Sequence, residues 1–108
     1  MLAGVLLLYQ HIRYSHKEEN WPSVEGVVVS SVVNKQLNNL TYHYKPFIKY
    51  TYVVGNEQYD GTYYQAISNG YLDEESALKI IKPYPEGTKV IVHYNPNNPD
   101  ESVLADLQ

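Results

Sequence analysis

Apolar and polar positions along this chain change period several times, and each change marks an element. From Met1 to Tyr9 (MLAGVLLLY) every position but Gly4 is apolar. After a charged linker at Lys17–Asn20, Trp21-Pro22 opens a folded domain. Pro22 holds Trp21 extended, so this is a strand entrance, and Trp21 is expected to plug one end of the core. Val24–Val33 (VEGVVVSSVV) is rich in β-branched residues and predicts a first strand. Val27, Val28 and Val29 fall on both of its faces, which predicts cover on both sides. Gly26 predicts a bulge or the close crossing of another strand. Asn34–Thr41 (NKQLNNLT) is polar and rich in asparagine, the composition of an exposed loop.

Tyr42–Val54 and Glu57–Gln65 alternate with period two around Gly55-Asn56, a two-residue hairpin signal with glycine first, as a type II′ turn requires. The turn dictates a register in which Val54 faces Glu57, Tyr52 faces Tyr59, Tyr50 faces Gly61 and Ile48 faces Tyr63. One face is then aromatic and apolar, with the Tyr50 ring covering the bare backbone of Gly61. Lys49, Thr51, Gln58, Asp60 and Thr62 face water. Asn69-Gly70 marks a further turn. Asp73 then reads as a helix N-cap, with Glu74 and Glu75 where the helix dipole favours acids. Ala77, Leu78, Ile80 and Ile81 supply an apolar face, and Pro83 ends the helix. Thr88–Asn95 is a strand with Val90, Val92 and Tyr94 on one face. Asn95–Pro99 reads as a stiff turn poor in hydrogen bonds, and Ser102–Ala105 as a short final strand.

The fold class is therefore mainly β: a small five-stranded, partly open Greek-key barrel of the OB type. One short helix lies between strands 3 and 4, and an N-terminal helix precedes the barrel. Residues 1–19 form the apolar helix and linker, and residues 20–108 the barrel-like domain. A spanning helix needs about 20 apolar residues, and Met1–Tyr9 is much shorter. It reads as the end of a membrane helix, with Tyr9, Arg13, Tyr14, His16 and Lys17 as its interfacial flank. The alternative is an amphipathic helix packed on its own domain or on a second copy.

Composition narrows the function classes. A hydrophobic content of 44% with 19% charge is that of a folded chain rather than a disordered one. Twelve tyrosines against one Phe and one Trp suit half-buried sheet faces. The absence of cysteine excludes disulfides and thiolate sites. His11, His16, His43 and His93 are scattered without metal-ligand spacing. No nucleophile elbow or glycine-rich phosphate loop occurs, so neither catalysis nor a cofactor is expected. The net charge of −4 disfavours nucleic acid, which needs a basic face. Charge is nevertheless uneven. No acid lies between Glu25 and Glu57, where Lys35, Lys45 and Lys49 fall. Tyr42, His43, Tyr44, Lys45 and Lys49 form the candidate interaction surface, able to stack bases above a basic groove or to lie against anionic lipid. Asn39-Leu40-Thr41 is a glycosylation sequon, relevant only in a eukaryotic secretory protein.

Several short motifs occur in a fixed order: Trp21-Pro22, Gly26, Tyr44-x-Pro46, Tyr50-x-Tyr52-x-Val54-Gly55 and Tyr59-x-Gly61. Ala77, Tyr84-Pro85-x-Gly87, Val90-x-Val92-x-Tyr94-Asn95-Pro96-x-x-Pro99 and Ser102-Val103-Leu104 follow. Over about Trp21 to Leu104 this order resembles the bacterial domain-of-unknown-function 3592 family. The resemblance implies a small membrane protein with a membrane-adjacent β domain on the extracytoplasmic side of the inner membrane. It supplies no catalytic residue. The partners expected are the membrane, through the N-terminal helix, and a protein or envelope component. The alternative is an OB-like module for single-stranded nucleic acid or oligosaccharide.

Overall fold

Two long neighbouring strands carry the architecture. In the computed structural model, which describes residues 20–64 and 72–107, β1 spans Ser23–Asn38 and β2 spans Thr41–Val54. They pair antiparallel along nearly their whole length, from Gly26 opposite Tyr52 to Asn38 opposite Thr41. The polar stretch Asn34–Thr41 is thus strand and turn rather than a loop. Asn39 (φ 54°) and Leu40 (φ 65°) both adopt positive φ, the signature of a two-residue type I′ turn. Backbone pairing overrides the polar composition because the ribbon needs only a tight turn to close it.

β3 (Glu57–Tyr64) pairs with β2 in the register the Gly55 turn dictates, including Tyr52 opposite Tyr59 and Tyr50 opposite Gly61. Gly55 has φ +65°. A Cβ on Gly61 would overlap the Tyr50 ring, so the bare backbone is the seat of that ring. A helix, α1 (Glu74–Ile81), follows and packs over β2 and β1. Asp73 caps it by accepting a hydrogen bond from the Ser76 backbone N–H at 2.7 Å, which lowers the Asp73 pKa. β4 (Lys89–Asn95) pairs with β1 over Ser23–Val27, and β5 (Asn98–Leu104) pairs with β4.

The five strands form one antiparallel sheet in the order β3-β2-β1-β4-β5. Among the described residues no ladder joins β3 to β5, so the strands form an open sheet, where a partly open barrel of the OB type was expected. Pro99 on β5 has no N–H to donate to such a ladder. Side chains bridge from β2 to β5 instead. The Tyr50 and Ser102 hydroxyls are 2.9 Å apart, and Tyr52 Oη donates to the Pro99 carbonyl at 2.6 Å. The N-terminal helix expected over 1–19 and the Asn69-Gly70 turn lie outside the described residues.

Three further expectations change. β5 begins at Asn98, so the Asn95–Pro99 turn contracts to Pro96-Asn97. That turn is also not poor in hydrogen bonds. Asn95 Oδ1 accepts from the Asn97 N–H, and Asn95 Nδ2 donates to Glu101, both at 2.9 Å. Val27 and Val29 are exposed rather than covered: Val27 alternates with buried Gly26 and Val28 onto the outer face, and Val29 sits at a bulge that shifts the register between Val28 and Ser30. Gly26 is the close crossing, not the bulge: a Cβ there would lie 2.7 Å from the Thr51 carbonyl and 2.9 Å from Val92 Cγ2.

The core is Val28, Ile48, Tyr50, Tyr52, Val90, Val92 and Leu104. Every one but Leu104 comes from a face assigned by period-two alternation or by the β-branched run. Trp21 is half-buried at the entrance to β1, with its carbonyl 3.0 Å from His93 Nδ1.

Candidate interaction surface

β1 and β2 outlast their neighbours. The β4 ladder on β1 covers Ser23–Val27, and the β3 ladder on β2 ends at Phe47 opposite Tyr64. Pro46 stands one residue beyond that ladder, where a missing N–H costs β3 nothing. From Val33 opposite Pro46 outward, the ribbon among the described residues consists of two strands six residues long. It projects roughly 20 Å at about 3.3 Å per residue. A bridge between Tyr44 and Leu72 braces it near mid-length.

All five candidate residues lie on β2, four of them on or beside this arm, but the pleat divides them. Tyr42 and Tyr44 fall on one face; His43, Lys45 and Lys49 fall on the other. Tyr42 is exposed and lies under the Lys35 ammonium, 4.2 Å from its ring centroid. Tyr44 and Lys45 are half-buried, His43 is buried, and Lys49 is exposed beside the five-stranded part. Tyr42 is therefore joined not by its sequence neighbours but by Lys35 and Leu37 across the ribbon.

Two features carry no clear signal in the sequence. The first is the arm tip. Leu40 is 95% exposed and Leu37 60% exposed, so with Tyr42 they make an apolar end on a basic stem. Leucine rarely occupies the left-handed region, where Asn, Asp or Gly is favoured. That unfavourable residue is also what concealed the turn in the sequence.

The second is a groove of about 830 Å³ between α1 and the stretch of β1 just past the bulge. Val29, Val32, Leu78, Ile81 and Pro85 line it, and Glu74, Glu75 and Glu86 stand around it with Lys79 and Lys82. Leu78 was expected on the buried face of the helix. It is 47% exposed because Ala77 and Ile81 take the contact with the sheet. The Ser31 hydroxyl, also at the groove, is buried without a hydrogen-bond partner.

Four tyrosines of the described residues play a structural part. Burial raises the pKa of Tyr50, Tyr52, Tyr63 and Tyr84, holding each phenol neutral. Tyr50 and Tyr52 are buried with their hydroxyls engaged, so neither ring is available to stack on a base. Among the described residues no group of three or more His, Cys, Asp or Glu could hold a metal ion, and no helix is long and apolar enough to cross a membrane.

A family model described as Domain of unknown function (DUF3592) matches residues 24–107. No curated protein and no solved structure matches the chain.

Proposed function

Because the chain belongs to the Domain of unknown function (DUF3592) family, which names no activity, we propose from its surfaces that it is a non-enzymatic, membrane-associated domain that binds a protein or envelope component. The observation that carries this reading is the groove between α1 and β1. It offers exposed Val29, Val32 and Leu78 within a charged rim, a composition suited to an apolar segment with polar flanks. The apolar run Met1–Tyr9 supports attachment to the inner membrane. The family resemblance favours the extracytoplasmic side for the domain, against the weak charge signal of Arg13 and Lys17, which Glu18 and Glu19 partly cancel.

A photo-crosslinker introduced at Leu78 in the full chain tests the groove in native membranes. One dominant protein or glycan adduct is expected there, and none from the same group at Gln58 on β3. Equal labelling from both positions would refute a dedicated groove. Attachment is tested by alkaline extraction: the full chain should stay with the membrane, and Val5→Asp with Leu7→Asp should release it.

A second reading, an OB-like module for single-stranded nucleic acid or oligosaccharide, draws support from strand order. β1 pairs with both β2 and β4, and the helix lies between β3 and β4, as in an OB barrel opened between β3 and β5. The acidic net charge and the buried Tyr50 and Tyr52 count against base stacking. Salt-dependent binding of single-stranded DNA would favour it; no binding at low salt would remove its nucleic-acid form.

A further inference from the structure

The arm and the groove are complementary, and we propose that they are two halves of one contact: the arm tip of one copy docks in the α1–β1 groove of the next. This deepens the groove-binding reading, on which it rests, by naming a second copy of the chain as the occupant.

The first argument is shape and polarity. Leu37, Leu40 and Tyr42 form a narrow apolar end that nothing in its own chain covers among the described residues. The groove, at about 830 Å³, lies in the range of cavities that admit a few large side chains. The second argument is charge. The span Gly26–Asn56, which includes the whole arm, holds Lys35, Lys45 and Lys49 and no acid. Residues 57–107 hold nine acids against three lysines, and at the groove itself Glu74, Glu75 and Glu86 outnumber Lys79 and Lys82. An apolar tip on a basic stem therefore meets an apolar groove on an acidic body.

The third argument is conformational. Leu40 keeps an exposed leucine at positive φ, where Asn, Asp or Gly would be more comfortable. A tip selected only to turn the chain has no need of that side chain; a tip that inserts it does. Tip and groove lie on different parts of the molecule, so the contact is head-to-tail. Copies held on one membrane would associate at a high effective concentration.

The absence of cysteine makes the test direct. Full-length chains carrying Leu40→Cys or Leu78→Cys are purified in detergent and oxidised, separately and mixed. A disulfide dimer is expected in the mixture, with little in either variant alone. Light scattering of the parent chain should show concentration-dependent association that weakens with salt. Leu40→Asp should weaken it at least tenfold, since burial of a leucine is worth a factor of ten or more. Aspartate tolerates positive φ, so an unchanged melting temperature would show that the turn is intact. Reversing the groove charge with Glu74→Lys and Glu75→Lys should act in the same direction.

Homotypic crosslinking through position 40 would overturn the head-to-tail contact in favour of tip-to-tip pairing. A strictly monomeric parent chain would overturn self-association altogether. If the Leu78 photo-crosslinker still captures a different molecule in native membranes, the groove reading survives and only the second copy as its occupant fails.

Discussion

The five-stranded body and the two-stranded arm are continuous stretches of the same strands, yet they obey different constraints. In the body, alternate residues of β1 and β2 are buried: Val28, Ile48, Tyr50 and Tyr52 face Val90, Val92 and Leu104. In the arm, burial stops at Pro46 and His43, and the outer residues Leu37, Leu40 and Tyr42 are exposed, because among the described residues neither the β3 nor the β4 ladder reaches them. A free two-stranded ribbon is only marginally stable in water. This arm persists as a continuation of a well-packed body, braced by the Tyr44–Leu72 bridge and the Lys35–Tyr42 contact. The difference teaches that packing supplies stability in one region, whereas in the other the exposed residues are free to be chosen for contact.

That contrast can be broken by mutation. The largest effect is expected from Ile48→Ala in the body. Ile48 is completely buried, so truncation should cost about 2–5 kcal/mol in urea denaturation. A loss well below 1 kcal/mol would mean the body is not the stabilising unit. Gly26→Ala should follow, at about 1–3 kcal/mol, because the added methyl meets the Thr51 carbonyl and a Val92 methyl on neighbouring strands. A variant as stable as the parent would show that those strands can part freely there.

Alkaline pH sharpens the same comparison. The folded-state pKa values of Tyr50, Tyr52, Tyr63 and Tyr84 are raised by burial above the ordinary value of 10.0. The folded state therefore holds its phenolic protons more tightly than the unfolded state does. Stability from these groups is complete below pH 10 and is lost as pH rises through the folded values. Near-ultraviolet titration should show these four tyrosines ionising above the ordinary value, together with unfolding. Ionisation of all four at the ordinary value in the folded protein would contradict the burial. The smallest effect belongs to the arm. Leu37→Ser should change stability by no more than about 0.5 kcal/mol in thermal denaturation, since Leu37 already faces solvent.

Much of the body is legible in the amino-acid sequence. The Gly55-Asn56 turn dictates the β2–β3 register, and with it the cover of Gly61 by Tyr50. Asp73 announces its helix through the preference for a side-chain acceptor at the N-cap. The arm is not legible, because its two signals conflict. Asn39 suits a type I′ turn but Leu40 does not, and the flanking residues are too polar to read as strand. Nor is the groove. Leu78 sits among the apolar positions of α1, and only the tilt of the helix on the sheet determines which of them stay bare. For the candidate residues, proximity in sequence suggests one surface, but the pleat turns neighbours to opposite faces.

Within the five-stranded body the sequence by itself determined the main local choices: the β2–β3 turn and its register, the apolar face of that hairpin and of β4, and the start of α1. Those follow from short-range rules of backbone geometry and side-chain periodicity. Only the tertiary structure decided that the sheet stays open between β3 and β5, that β1 and β2 continue past their neighbours as an arm, and that α1 leaves a groove beside β1. Each depends on where one element stops relative to another far away in the chain. No local pattern encodes that relation, because it is settled by packing among distant segments.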